Sequence, residues 1–462
     1  MGNLHMLGAL PHRTLQKLAK IHGPIMYLKL GHVPAIIVSS PQVAESFLKT
    51  HDAVCASRPK IQASDYIVYG SKGLVISPYG SYWRNARKFC TLELLSTKKI
   101  DSFAEMRKEE VGVLVQSIKE SAMVKEVVDV SEKVAALVED MMYRMILGRS
   151  KDERFDLKGT IQESVALTGA FNLADYLPFL SPFDLQGLTR GLKAIGKEID
   201  KILEAIISDH EQENTSGKHE THNRDFVDTT LSLMKKTSNT HDELSFLMDR
   251  SNVKAILLDM IAASIDTSHT VIEWTLSELI RHPKVMKKLQ EELKKVLGTD
   301  RMVEEIDLQK LQYLDAVIKE SLRLHPVATL VSRESLEDIV INGYNIPKNS
   351  RIFLNNWAIG RDSNVWSENA EEFIPERFIG SNLDYRGKHF QFIPFGSGRR
   401  GCPGSYLGMI NIRYVVAQLV HCFDWKLPND MCVDELDMSE KFGMTAPRAK
   451  LLFAVPSYRL HG

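Results

Sequence analysis

One stretch of the chain concentrates residues suited to chemistry: Phe395-Gly396-Ser397-Gly398-Arg399-Arg400-Gly401-Cys402-Pro403-Gly404, followed by the helical run Ser405–Phe423. Its glycines and proline force a tight turn that few other residues allow. Cys402 then stands at the mouth of a helix beside Arg400, where the positive dipole end and the guanidinium are expected to favour thiolate over thiol. A thiolate held on a rigid loop with its sulfur exposed suits metal ligation. Read alone, the same residues also fit a glycine-rich turn that happens to contain a buried cysteine.

The other cysteines, Cys55, Cys90, Cys422 and Cys432, form no CxxC pair and no zinc-type Cys/His spacing. They are expected to be small, mostly buried apolar residues in a reducing compartment. The 58 basic and 59 acidic residues nearly cancel, to a net charge of −1, so a chain-wide polyelectrolyte role on nucleic acid is excluded. With 44% hydrophobic and 25% charged residues in 462, the composition is that of a folded globular protein. No apolar run approaches the roughly 18–20 residues of a membrane span. Met1-Gly2-Asn3-Leu4-His5 shows no signal peptide, and the chain as given is expected to be soluble.

Positioning that loop takes a mainly helical scaffold. Apolar residues recur at three- and four-residue spacing over Thr14–Ile21, Ser102–Glu120, Val127–Leu147 and Leu192–Glu211. A long helix is expected over Ser251–Arg281, then helices at Pro283–Leu297 and Leu311–Leu324, with stops at His282-Pro283 and His325-Pro326. Short strands are expected at Ile25–Leu30 and Ala35–Val38, and β-like runs over Leu330–Phe353 around Asn342-Gly343. The polar stretch Asp209–Asp225 reads as a solvated loop, and 364–394 as a long irregular segment of the kind that is usually functional. No internal repeat is visible. The fold class expected is mainly α with small β-sheets (α+β), in one catalytic domain over residues 1–462.

The pattern Phe395-x-x-Gly398-x-Arg400-x-Cys402-x-Gly404 resembles the haem-binding loop of the cytochrome P-450 superfamily, a class whose haem iron is held by a cysteine thiolate. Further matches follow in the family's order: Trp83-x-x-x-Arg87, the segment Ala263-Ser264-Ile265-Asp266-Thr267-Ser268, Glu320-x-x-Arg323 with Leu324-His325-Pro326, Arg333, Trp357, and Pro375-Glu376-Arg377-Phe378. Glu-x-x-Arg alone is a common helical pair, but the set in order spans the whole sequence. Ile272-Glu273-Trp274 and Pro394-Phe395-Gly396 bring it nearest to the plant microsomal A-type group.

The resemblance implies the cytochrome P-450 fold, with a long central helix over haem b (iron protoporphyrin IX), and a monooxygenase that inserts one oxygen atom from O2 into a hydrophobic plant metabolite, terpenoid or phenolic. It implies Cys402 as the metal ligand; Trp83, Arg87, Arg333 and Arg400 as donors to the haem propionates; and Phe395, Gly398 and Gly404 as the rest of the cofactor loop. Asp266 and Thr267 become an acid–alcohol pair for proton delivery, with Ser264 beside them, while Glu320, Arg323 and Arg377 form a buried network. Substrate contacts fall on Tyr66, Ile67, Phe171, Leu173, Ala263, Val327, Leu330 and Met444, where ordinary core packing is the competing reading. No strand-linked GxGxxG occurs, so electrons from NADPH are expected through a separate cytochrome P-450 reductase, docking near Lys88, Lys98, Lys99, Arg399 and Arg413. Lipid-hydroperoxide rearrangement on the same fold, and a haem–thiolate sensor, are the alternatives; the acid–alcohol pair disfavours both, and the uninterrupted loop disfavours the first.

The sequence departs from the family at Ser264, where glycine is usual, and at Ser332, where proline usually precedes the arginine. The resemblance also starts abruptly at Gly2-Asn3-Leu4, inside a motif that normally follows a membrane anchor and a proline-rich hinge. A truncation or fragment is therefore expected, with the full-length protein on the cytosolic face of the endoplasmic reticulum membrane.

Overall fold

The computed structural model describes residues 2–149, 154–215, 224–237 and 249–461. Its axis is the helix Arg250–Arg281, opened by Asp249, whose carboxylate accepts the Asn252 N–H at 2.7 Å, and stopped where Pro283 forbids its continuation. Along this helix residues 252–261 and almost all of 268–280 are buried, on every side. Between them the exposure changes: Ala263 is exposed, and Ala262, Ser264, Asp266 and Thr267 are half-buried. A helix wrapped in protein at both ends but accessible over one turn has a space beside that turn. Among the described residues it is also the one helix long and apolar enough to cross a membrane, and the protein core accounts for that apolar surface.

Helices Val130–Leu147, Gln312–Leu324 and Ser405–Cys422 pack on this axis. One apolar cluster runs through them from Ala63 to Leu460, and two smaller clusters lie under the sheet built by the N-terminal strands. That sheet has four strands in the order Ile25–Leu30, Val33–Val38, Arg351–Asn355, Leu330–Glu334. Asn342 and Gly343, both at positive φ (51° and 81°), turn the separate hairpin Ile339–Ile341/Tyr344–Ile346, as an Asn-Gly pair should. A third sheet joins Val128–Asp129, Phe453–Tyr458 and Phe423–Lys426.

The expected elements are present, most with ends displaced by a few residues, and two local readings are corrected. The stretch expected as a loop from Asp209 is helical as far as Thr215, within Leu188–Thr215, and residues 216–223 lie outside the described residues. Polar composition misled there because His210 and Asp225 are buried against each other at 3.1 Å, while Asp225 caps the next helix through the Asp228 N–H at 2.7 Å. Of the four ordinary cysteines, Cys55, Cys90 and Cys422 are buried, but Cys432 is exposed, in the short turn before Val433–Glu435.

Candidate functional site

The cysteine loop takes its shape from a few backbone bonds. The Cys402 N–H donates to the Phe395 carbonyl at 2.8 Å, and the Gly401 N–H to the Gly398 carbonyl at 3.0 Å. Gly398 sits at φ +67°, and a Cβ there would lie 2.6 Å from both the Asp52 carboxylate and the Leu48 carbonyl. Only glycine fits. Gly404 precedes the helix Ser405–Cys422, and one turn into it Gly408 lets the helix approach Phe395 and the Ser268 hydroxyl: a Cβ would sit 3.6 Å and 4.0 Å from them. The loop is thereby seated beside the accessible turn of the central helix.

Cys402 is exposed, as metal ligation needs, but its electrostatics differ from expectation. Desolvation pushes the thiol pKa up, against the Gly404 N–H and Arg87, which pull it down. Arg400 is not its partner. Its guanidinium turns away to the carbonyls of Ala56 (2.7 Å), Leu74 (3.1 Å) and Ser77 (2.5 Å) and lies 4.1 Å over the Trp83 ring. The helix mouth therefore does not by itself make a thiolate; a cation against the sulfur is what would reverse the preference.

The arginines converge. Arg87 donates to the Gly401 carbonyl at 2.6 Å, and Arg333 donates to the Ser397 carbonyl at 3.3 Å. Arg333 is buried, and its Nε and Nη1 have no hydrogen-bond partner among the described residues. Arg58 joins them, donating to the Val75 carbonyl at 3.1 Å and to the Ser332 carbonyl. Burial pulls Arg58 down to about 10 and Arg400 to about 9, and also lowers Arg333 well below its ordinary value, with Arg58 and Arg400 repelling Arg333. Asp52 is the nearby anion that opposes this, and it is also bonded to Arg399 at 2.9 Å. Buried cations in excess, one with orphaned donors, call for an anionic ligand. The Trp83 indole donates to the Leu74 carbonyl at 3.1 Å, so in this structure it braces the cluster. Arg58 had no sequence signal, because only the fold brings it to Arg333.

These residues fit the haem that the loop motif implies: an accessible sulfur for the iron, and unpaired guanidinium donors for paired carboxylates. An open hollow of about 400 Å³ is lined by Tyr79, Trp83, Arg84, Arg87, Lys88 and Arg399 among others, and Asp266 is not among its lining residues. Of the cations expected to form a docking face, Lys88 and Lys98 are exposed. Lys99 donates to the Arg224 carbonyl, Arg399 to Asp52, and Arg413 to Asp315 and the Leu308 carbonyl, so these three are already engaged.

The central helix continues unbroken through Ser264, whose hydroxyl donates back to the Met260 carbonyl at 2.6 Å and the Ile261 carbonyl at 3.1 Å. Thr267 does the same to Ala263 at 2.8 Å. Asp266 accepts from the Thr445 hydroxyl, a partner that lies far away in sequence. The buried network is as expected. Glu320 accepts from Arg323 Nε at 2.7 Å and Nη2 at 2.8 Å, from Arg377 Nε at 3.3 Å and from the Ile374 N–H at 2.8 Å.

The candidate substrate contacts divide. Val327 lies beside the turn of Met444, since the Ala446 N–H donates to its carbonyl at 2.9 Å; Met444 and Ala263 are both exposed. Phe171 is exposed and stacks on Tyr176 at 5.1 Å, and Leu173 is half-buried in the following 3-10 turn. Tyr66 is half-buried under Lys193, at 5.3 Å. Ile67 is buried in the main core and Leu330 packs with the cluster under the four-stranded sheet, so for these two packing prevails over ligand contact.

A buried carboxylate that sequence reading passed over ties the segment before Trp83 to the central helix. Asp259 accepts the Leu74 N–H at 2.5 Å and the Val75 N–H at 3.1 Å, facing Tyr82 and Cys90. Burial raises its carboxyl to about 6. A folded-state pKa above the unfolded one means that the native state holds the extra proton. This group's contribution to stability is therefore greatest below about pH 4 and is lost as pH rises to about 6. Asp259→Asn, whose amide oxygen still accepts both N–H groups, should flatten that slope. Asp259→Leu should cost about 2–4 kcal/mol by orphaning both donors. Urea unfolding at about pH 4.5 and about pH 7 checks both.

With this geometry in hand, a model of the cytochrome P-450 family matches residues 1–453. The chain is 61% identical to Cytochrome P-450 CYP736A12 of Panax ginseng over 100% of its own length and 92% of that protein. It is 44% identical to Cytochrome P-450 71A1 of Persea americana, over 96% and 89% of the two chains. A zebrafish cytochrome P-450 solved with progesterone superposes with a TM-score of 0.79 at 23% identity, covering 97% of this chain and 99% of that one, a likeness of fold.

Proposed function

The chain belongs to the cytochrome P-450 family, with plant relatives, and is a haem–thiolate monooxygenase; from that premise we propose how its residues divide the work and what it acts on. When bound, the haem supplies the activation of dioxygen and the transfer of one oxygen atom. Cys402 holds its iron. Arg58, Arg87 and Arg333 hold its carboxylates, while Arg400 and Trp83 brace the wall behind them. The observation that carries this reading is the buried Arg333, whose free donors lie among repelling cations next to an exposed Cys402 loop.

Asp266 and Thr267 deliver protons at the accessible turn of the central helix. The Thr267 hydroxyl donates its own proton to the Ala263 carbonyl, which leaves Oγ1 as an acceptor that orients a proton-carrying water, and Asp266 exchanges a proton with water. Ser264 has its hydroxyl proton committed to Met260 and Ile261, which supports a structural part for this departure. The substrate is a hydrophobic plant metabolite, terpenoid or phenolic, held by shape among Ala263, Val327, Met444, Phe171, Leu173 and Tyr66. Residues 1–462 act as one catalytic domain.

Electrons come from NADPH through a separate reductase. The exposed cations Arg84 and Lys88 of the open hollow, with exposed Lys98, give it an acidic-partner surface. The protein works at the endoplasmic reticulum membrane. The test is turnover of a terpenoid and phenolic panel with purified reductase: product should require NADPH, reductase and O2 together. Thr267→Ala should keep NADPH consumption, yet lower product per NADPH by about tenfold or more, with hydrogen peroxide released instead. Product formation without reductase, or full coupling in Thr267→Ala, would count against it.

A further inference from the structure

The Asp266 carboxylate has one hydrogen-bond partner among the described residues, the hydroxyl of Thr445 on Oδ2. Its other oxygen, Oδ1, lies 3.9 Å from His269 Nε2, beyond hydrogen-bond reach. His269 points Nδ1 at the Ile265 carbonyl at 2.9 Å, and a carbonyl only accepts, so Nδ1 carries the proton. The carboxylate's orientation rests on Thr445.

Thr445 is itself held firmly. The Trp274 indole, eight residues further along the central helix, donates to the Ala446 carbonyl at 3.0 Å, and the Ala446 N–H donates to the Val327 carbonyl at 2.9 Å. Trp274 is buried and stacked on His325, ring to ring at 4.0 Å and 7°. From the other side, helix Leu157–Gly169 ends against the turn, where a Cβ on Gly169 would come within 2.9 Å of the Met444 backbone nitrogen. Contacts from three separate elements pin a turn whose one hydroxyl is spent on the acid.

We propose that Thr445 is a positioning residue for proton delivery, fixing the Asp266 carboxylate through Oδ2 so that Oδ1 stays free to give and regain the transferred proton. The hydroxyl hydrogen stays on Thr445 throughout; Asp266 loses one proton inward and recovers one from water, so the pair is unchanged after each cycle. Met444, a candidate substrate contact, immediately precedes Thr445, so whatever presses on Met444 also loads the acid's support. The proposal rests on the reading of Asp266 as the proton source.

The test compares Thr445→Val, Thr445→Ser, Gly169→Ala and Asp266→Asn as haem-loaded proteins. Thr445→Val keeps the shape and removes the donor. It should lower product per NADPH by about tenfold, the equivalent of one charge-assisted hydrogen bond, and raise peroxide correspondingly. The infrared carboxylate band that Asp266→Asn deletes should shift in Thr445→Val, and Thr445→Ser should restore both band and coupling. A merely structural threonine would not move that band selectively. If Thr445→Val does not fold, Gly169→Ala, which pushes on the Met444 backbone without touching the hydroxyl, should shift the same band. Normal coupling and an unmoved band in Thr445→Val, or failing its folding an unmoved band in Gly169→Ala, overturn the positioning role if Asp266→Asn uncouples. If Asp266→Asn itself stays coupled, the reading of Asp266 falls, and this proposal with it.

Discussion

Cys402→Ser is expected to abolish the red-shifted Soret band that a thiolate ligand gives the reduced carbon monoxide complex, and with it all monooxygenase turnover. Serine keeps the size of the side chain and the Phe395 carbonyl bond of the loop, which is made by the backbone. What it removes is the soft, polarisable donor that pushes electron density onto the iron. Cys55→Ser, Cys90→Ser and Cys422→Ser serve as controls. These thiols are buried, and burial pushes their pKa up to about 12 for Cys55 and Cys422 and higher for Cys90, so none of them should affect the band. Retention of the band in Cys402→Ser would transfer the ligand role elsewhere. Circular dichroism of the variant separates ligand loss from unfolding.

Glu320→Ala is expected to give the largest loss of stability of any single change discussed. Glu320 and Arg323 have 0% and 2% exposure, and the carboxylate gathers Arg323, Arg377 and the Ile374 N–H into one knot. Arg323 in turn donates to the carbonyls of Gly360, Ala370 and Glu372, binding the irregular segment before the cysteine loop to the helix Gln312–Leu324. Removing the acid leaves both guanidiniums without that counter-charge, although they keep carbonyl partners. The cost of breaking one partner out of a buried ion pair is about 3–5 kcal/mol. The urea midpoint should fall and haem loading should fall with it. Glu320→Gln, which retains an acceptor oxygen, should lose less. A midpoint unchanged in Glu320→Ala would mean that the backbone bonds alone hold that segment.

Most of the long helices, the strand pair Ile25–Leu30/Val33–Val38 and the Asn342-Gly343 hairpin were legible in the sequence because their signals are local, while Leu157–Gly169 and Phe226–Thr237 were not expected. Apolar periodicity, a proline stop and an Asn-Gly turn each act within a few residues. The loop 395–404 was legible for the same reason: glycines at Gly396 and Gly398 take positive φ, and the cysteine's place in that turn is fixed by its nearest neighbours. Glu320, Arg323 and Arg377 were readable as a motif, and folding brought them together as the motif implied.

What the sequence could not decide was where each long, polar side chain spends its donors. Arg400 and Trp83 stand in the motif as ligand donors, but the structure turns Arg400 to three backbone carbonyls and Trp83 to one. Arg58 and Asp259 carry no spacing signal. They matter because Arg58 faces Arg333 from 275 positions away, and Asp259 faces Leu74 from 185. The Cys402 thiol was expected to be acidified by a helix mouth, yet desolvation wins, since the crowding around a sulfur is set by elements remote in the chain. Thr445 on Asp266 is the same case. Local backbone conformation is governed by short-range sterics and hydrogen bonding, so it is written into neighbouring residues. Burial, Coulomb repulsion and side-chain pairing depend on distances in space, and only the packed tertiary structure sets those.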